Sequence, residues 1–389
     1  MKRWLFLVFT LMLAVALMSP AFSTADAKQA VKSAEYVPGE VIVKYKENAS
    51  EAAIASMHKQ ENAVVAKEYK KEGFDVVKVK GKSVEQAVQE YNKNPNVEYA
   101  EPNYIFHATW TPNDPYFNSG LQWGPQRIQA PQAWDISRGN GIRIAIVDTG
   151  VQNDHPDLQG KVVMGYNYVN GNWNPYDYNG HGTHCAGIAA AATNNGIGIA
   201  GMAPGAQIYA VKVLGDNGSG TLANVAAGIR HAADNGSHVI NLSLGASVGA
   251  STLEDAVNYA WSRGSVVVAA AGNAGNTARH YPAAYANAIA VAATDSADRK
   301  ASFSTYGTWV DVAAPGVDIL STYSGSRYAY LNGTSMAAPH VAGQAALLAA
   351  QGRSNSQIRA AIQNTADSIT GTGSYWRYGR VNAYRSVLY

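Results

Sequence analysis

Gly141-Ile142-Arg143-Ile144-Ala145-Ile146-Val147-Asp148-Thr149-Gly150 reads as an apolar strand that ends in an acid and a glycine turn. So continuous an apolar run suits a strand buried on both faces, as in a parallel sheet covered by helices. Such a strand has little use for a carboxylate, so Asp148 at its carboxyl end marks either a site or a turn cap. The chain downstream keeps alternating. Strands are predicted at 207–214, 239–244 and 265–271, with helices at 221–235 and 253–263 stopped by Gly236 and Gly264. Repeated βαβ units imply an α/β fold, a doubly wound parallel sheet with helices on both faces. In such sheets ligands gather at the carboxyl ends of the strands, which is where Asp148 falls.

Two other stretches carry candidate chemistry. His181-Gly182-Thr183-His184-Cys185-Ala186-Gly187 opens a small-residue helix running to residue 192. Histidines at i and i+3 could ligate a metal, but the glutamate and further ligand of a zinc helix are missing. His181 at the helix start can lie beside Asp148, whereas His184, one turn deeper, reads as a core histidine. Cys185 has small apolar neighbours that hide a thiol and raise its pKa. Asn332-Gly333-Thr334-Ser335-Met336-Ala337-Ala338-Pro339-His340-Val341-Ala342-Gly343 is a Gly-Thr turn that runs into a buried helix, predicted at 341–350. Ser335 then sits near a helix N-terminus, where unpaired N–H groups favour negative charge, and Pro339 falls early, where its missing N–H costs least. Alone, this serine could equally be a helix cap.

Taken together, the three stretches resemble the subtilisin-like serine proteases, or subtilases, whose motifs D-T-G, H-G-T-H and G-T-S-M-A-x-P occur here in the same order. The likeness runs nearly without break from Trp110 to Tyr389, from W-T-P-N-D-P-Y-F at its start to G-R-V-N-A-Y near its end. It implies that Ser335 is the nucleophile, His181 its general base and Asp148 the acid that orients the imidazole. Asn273, in the turn after the strand 265–271, would share oxyanion stabilisation with the Ser335 N–H. Ser243, Leu244 and Gly245, with Gly218, Ser219 and Gly220 opposite, would hold an extended peptide between two edge segments. Ala270, Ala271 and Gly272 would leave an open apolar pocket, giving broad specificity with a preference for large apolar or aromatic side chains. A non-catalytic binding protein of this fold would lack one of the four catalytic residues, and a peptide ligase would replace Ser335 by a thiol. Neither departure is present.

The resemblance also implies calcium. One tight site would use Asp114, Asp157 and Asn195 with the carbonyls of Ala192, Ile197 and Ile199. A weaker cation site would use the carbonyls of Ala283, Tyr285 and Ala288. A further calcium loop found in some relatives corresponds here to residues 167–177, where asparagines stand at the ligand positions and Asp177 is the only acid. Neutral ligands weaken calcium binding, so this loop should hold its shape through Asn side-chain bonds and packing of Tyr168, Trp173 and Tyr176 instead.

Composition agrees with a secreted enzyme. The formal charge is +2 and no basic tract appears, which argues against a nucleic-acid partner. Residues 1–27 combine Lys2 and Arg3, an apolar run from Leu5 to Met18 and the sequence Ala25-Asp26-Ala27, as a cleaved signal peptide does. No membrane association is expected after its removal. The single cysteine forbids an internal disulfide, leaving packing and bound ions to stabilise the fold. A charge boundary divides the rest. Residues 28–109 hold 12 basic and 12 acidic side chains in 82 residues, whereas 110–389 hold 16 and 15 in 280. The first part alternates as a small α+β, ferredoxin-like module, with strands at 40–45 and 74–80, helices at 51–59 and 84–92, and an extended stretch at 97–106 broken by Pro102. It resembles the family's propeptide, an intramolecular inhibitor and folding aid whose tail, residues 104–109, would lie in the active-site groove. The expectation is thus a signal peptide (1–27), a propeptide (28–109) and a monomeric catalytic domain (110–389).

Overall fold

The computed structural model describes residues 36–106 and 110–389, which form two compact units. The predicted signal peptide, the first propeptide residues 28–35 and the tail residues 107–109 lie outside the described residues.

The first unit runs β1 (Tyr36–Tyr45), α1 (Glu51–Gln60), β2 (Ala63–Tyr69), β3 (Phe74–Val79), α2 (Val84–Tyr91) and β4 (Val97–Tyr104). Its strands pair antiparallel in the order β2-β3-β1-β4, the split βαβ arrangement of a ferredoxin-like module. Side chains set the helix starts: Ser50 Oγ accepts from Ala53 N, and Ser83 with Gln86 forms a capping box. Val41, Val43 and Val77 pack against Met57, Ala87 and Tyr91 to make its core. Strand β2 is absent from the sequence expectation because, as an edge strand, it is largely exposed and shows no clean apolar alternation. Pro102 does not break β4. It lies in the other edge strand of the sheet, opposite Val41 of β1, and an edge strand is where a sheet tolerates a proline.

The second unit begins with three short helices, α3 (Pro115–Asn118), α4 (Trp123–Arg127) and α5 (Ala130–Trp134). Next come β5 (Arg143–Asp148), β6 (Val162–Asn167), α6 (His181–Ala190), β7 (Gln207–Lys212), α7 (Leu222–Asp234), β8 (Val239–Leu242), α8 (Ser251–Ser262) and β9 (Val266–Ala270). The last part holds β10 (Ala288–Thr294), β11 (Val312–Pro315), the hairpin β12 (Ile319–Tyr323) and β13 (Arg327–Leu331), α9 (Thr334–Ala349), α10 (Asn355–Asn364), β14 (Gly379–Arg380) and α11 (Ala383–Leu388). Eight strands form one parallel sheet in the order β14-β11-β10-β9-β8-β5-β7-β6. Both faces are covered. Ile144 and Ile146 of β5 face the layer that contains α6 and α9, while Ala145 and Val147 face α7 and α8. From β5 the chain crosses to the edge strand β6, returns to β7 beside β5, and then continues through β8 toward the opposite edge, so the winding reverses beside the strand that ends in Asp148.

Helix α9 begins at Thr334, earlier than predicted, and Pro339 is therefore its sixth residue and not part of its first turn. Helix α6 stops at Ala190, short of the predicted residue 192, because the Ala192 N–H turns away to the carbonyl of Asp157. Among the described residues, no helix is long and apolar enough to cross a membrane.

Candidate active site

Asp148 is fully buried at the end of β5, and its Oδ1 accepts hydrogen bonds from Thr149 N at 2.7 Å and His181 Nδ1 at 2.8 Å. Gly182 makes that approach possible. A methyl group there would lie 2.1 Å from the Gly150 carbonyl oxygen and 3.2 Å from Asp148 Cβ. Asp177 fixes the start of α6: its Oδ1 accepts from Asn179 N and Gly180 N, each at 3.0 Å, and its Oδ2 from Thr183 N at 2.9 Å and Thr183 Oγ1 at 2.7 Å. Burial alone would lower the His181 pKa, but the charge and hydrogen bond of Asp148, helped by the charge of Asp177, lift it above the ordinary 6.5.

The neighbours of His181 have different environments. His184 is buried, bonds through Nε2 to the carbonyls of Ile319 and Ala329 at 3.0 Å each, and is pushed by burial down to about 4. It is a neutral structural histidine. Asp148, His181 and Cys185 lie close enough to suggest a metal cluster, yet burial drives the Cys185 thiol well above its ordinary pKa and away from the thiolate a metal needs.

Ser335 stands in the first turn of α9, and its hydroxyl donates to the carbonyl of Ser243 at 3.0 Å. Among the described residues no hydrogen bond joins Ser335 to His181, so transfer of its proton to that imidazole requires rotation of the serine side chain. Asn273 is oriented from behind. Its Oδ1 accepts from Thr334 N and Thr334 Oγ1, each at 2.9 Å, while Thr334 Oγ1 in turn accepts from Gly272 N at 3.1 Å. With the carbonyl end engaged, the amide Nδ2 is left facing forward. A methyl group on Gly333 would lie 3.5 Å from both Asn273 Nδ2 and Ser335 N, so two N–H donors border one small open space.

A groove of about 660 Å³ runs beside His181, lined by Gly218, Ser219 and Gly220 on one side and Ser243, Leu244 and Gly245 on the other. Leu214, Val225, Leu253 and Tyr281 make part of it apolar. Ala270, Ala271 and Gly272 lie buried at the end of β9 and do not line this groove. The space between Gly245 and Gly272 is also not open. His280 stands in it, so a methyl on Gly245 would meet its Nε2 at 2.4 Å and one on Gly272 its ring Cγ at 2.9 Å. Nothing in the sequence around His280 signals this, because the contact joins two distant turns.

The predicted cation ligands fall together around the loop after α6. Asp114 and Asp157 are fully buried, and neither has a cationic partner among the described residues. Asp114 accepts from Asn194 N at 2.8 Å and Asn195 N at 3.2 Å, and Asp157 from Ile199 N and Asn195 Nδ2, each at 2.8 Å. Burial, with the charge of Asp114, raises the Asp157 pKa to about 6. The carbonyl of Tyr285, expected to help hold a weaker cation, already accepts from Ala288 N at 3.1 Å.

In the loop 167–177 asparagine side chains do bond the backbone. Asn167 Oδ1 accepts from Val169 N and Asn170 N, and its amide donates to the Asn174 carbonyl, all at 3.0 Å. Tyr166, which the sequence reading leaves out, carries the aromatic packing, with ring centres 4.9 Å from Tyr168 and 5.0 Å from Trp173. Tyr176 packs instead on Tyr178 at 5.0 Å.

Comparison with known proteins gives two family matches: the Subtilase family over residues 139–380, and the Fervidolysin N-terminal prodomain over residues 22–103. Thermitase of Thermoactinomyces vulgaris is 68% identical over 280 residues, covering 72% of this chain and all of that protein. A thermophilic serine proteinase of Bacillus sp. (strain AK1) is 58% identical over 357 residues, or 91% of this chain and 88% of its own length. Among solved structures, a protease from Pseudoalteromonas arctica superposes with a TM-score of 0.67 at 34% identity, covering 72% of this chain and 99% of its own.

Proposed function

This chain belongs to the subtilase family and is a serine protease with an N-terminal prodomain, and we propose that Ser335, His181 and Asp148 form its catalytic triad. The observation that carries the proposal is the 2.8 Å bond from His181 to a buried carboxylate at the topological switch of the sheet. In the first step Ser335 Oγ turns from the Ser243 carbonyl to His181 Nε2, gives up its proton and attacks the scissile carbonyl. Asp148 holds Nδ1–H, so that Nε2 is the basic nitrogen, and stabilises the imidazolium that forms. Asn273 Nδ2 and Ser335 N–H receive the developing oxyanion, and His181 then returns the proton to the leaving amine.

The enzyme is further proposed to act on extended polypeptides with broad specificity. Backbone pairing along 214–220 and 241–245 would supply affinity without reading sequence. The apolar part of the groove, formed by Leu214, Val225, Leu253 and Tyr281, favours large apolar or aromatic side chains. The first unit is proposed to be the inhibitory propeptide, removed by self-cleavage after Thr109, and the mature protein to be secreted as a monomer.

Calcium fits the donor set at Asp114 and Asp157. Two buried carboxylates without a cationic partner among the described residues, together with the carbonyls of Ala192, Ile197 and Ile199, offer the hard oxygen ligands this ion takes. Asn195 would join after turning its amide, since its nitrogen faces Asp157 in this structure. Bound there, the ion would fasten the N-terminal arm of the catalytic unit to the core. The carbonyls of Ala283 and Ala288 could contribute to a second, weaker cation site.

Calcium at a hundred times its Kd should stabilise the protein by about 2.7 kcal/mol. Asp157→Asn should abolish most of that gain. Asp177→Asn should lower the basal melting temperature, through the α6 cap it weakens, while leaving the calcium-dependent gain in place. Thermal unfolding and calorimetric titration with and without calcium check this. A tight site that survives Asp157→Asn and is lost with Asp177→Asn would overturn the assignment.

A further inference from the structure

A proline four residues after the nucleophile opens a gap in the helix that carries it. In an α-helix the carbonyl of residue i accepts from the N–H of residue i+4, so Ser335 O should bond to residue 339. Residue 339 is proline, inside α9, and has no N–H to give. A buried carbonyl left without a donor would cost free energy and loosen the turn. Two side chains from other elements supply what the helix lacks. Ser243 Oγ donates to Ser335 O at 2.7 Å, and the weaker Cys185 S–H approaches the same oxygen at 3.4 Å. The Ser243 hydroxyl is itself oriented, because it accepts from Asn241 Nδ2 at 2.9 Å. Asn241 is fully buried in β8, between β5 and β9, where an amide has no packing advantage over an apolar side chain.

We propose that Asn241 and Ser243 are positioning residues that clamp the main chain of Ser335 in place of the helix bond Pro339 removes. The inference rests on the reading of Ser335 as nucleophile. The clamp is reciprocal: while the Ser243 hydroxyl holds the Ser335 carbonyl, the Ser335 hydroxyl rests on the Ser243 carbonyl. When Ser335 Oγ rotates toward His181, only the side-chain bond breaks and the main-chain bond stays. The turn that presents the nucleophile therefore does not move with it. Ser243 also lines the groove, so the nucleophile is referenced to a wall the substrate touches and not only to its own helix.

The test uses Pro339→Ala, which restores an N–H at the position the helix expects, on the purified mature enzyme. Ser243→Ala alone should lower kcat by about 10- to 100-fold, the size of loss that a small misplacement of a reacting group produces. In the Pro339→Ala background the same change should cost about threefold or less, a coupling expected of residues that serve one acceptor. KM should move little in either case. The concentration of folded protein, taken from the thermal unfolding transition of each variant, corrects kcat for any loss of structure. Equal losses in both backgrounds, or a loss seen mainly in KM, would overturn the clamp. Failure of the nucleophile reading looks different: Ser335→Ala would then retain activity whatever stands at 243 and 339.

Discussion

Ser335→Ala is expected to lower kcat by about 10⁶-fold, the loss known for the serine of subtilisin, and to leave the prodomain attached. Both effects have one cause, because removal of the prodomain is proposed to be the enzyme's own first turnover. In Ser335→Ala the imidazole, the buried acid and the oxyanion donors all remain, so the residual rate is what binding and electrostatics alone provide. Among the described residues the serine hydroxyl bonds to the Ser243 carbonyl, so the alanine removes that one hydrogen bond, and the residue that loses it lines the open groove. Folding should therefore be intact. Expression in a protease-deficient host followed by N-terminal sequencing checks the processing, and a peptide assay checks the rate. A mutant that emerges with Trp110 as its N-terminus would refute self-cleavage.

Asn273→Ala should lower kcat by about 10²–10³-fold with little change in KM, a magnitude taken from the oxyanion asparagine of subtilisin. The structural reason is local. Thr334 engages the carbonyl end of Asn273 twice, which leaves the amide nitrogen beside the small space under Gly333. Donors preorganised in that way act on the charge of the transition state more than on the bound substrate. Removal of the amide thus shows in kcat. Asn273→Asp keeps the size and the bonds to Thr334 but replaces the donor by an acceptor, and should be at least as damaging. A loss confined to KM would move Asn273 from catalysis to binding.

Much of this site is legible in the sequence because its parts carry local signals. Asp148 stands out as an acid closing an apolar strand, and the sheet order then places that strand end at the topological switch. His181 is readable in the same way, from its place at the start of a helix, whereas the part played by Gly182, which meets Gly150, appears only in the structure. The prodomain's helices could be placed from Ser50 and Ser83, whose caps are short-range chemistry. Less legible are contacts between distant segments. His280 between Gly245 and Gly272, and Thr334 behind Asn273, follow from how turns stack and not from any periodicity. Asp177 illustrates a third case: its position in a loop that could hold calcium hides its work as the cap of α6. In the sequence Pro339 reads as an early proline ahead of a helix that starts at residue 341, where its missing N–H costs least. Its consequence needed the true helix start at Thr334 to be seen.

In the proposed triad His181, held by Asp148 and made more basic by it, is the base that activates Ser335. That role shows in the pH dependence of kcat/KM for an extended peptide. Burial would lower the His181 pKa, but Asp148 outweighs it and Asp177 adds to the rise, so the pKa lies above 6.5. A base with a raised pKa is protonated over more of the acid range, and activity falls as the pH drops through that raised value. A single acid limb at a pKa above 6.5 is therefore expected in the free enzyme. Activity that stays level down to pH values where carboxylates titrate, with no limb in the imidazole range, would contradict it.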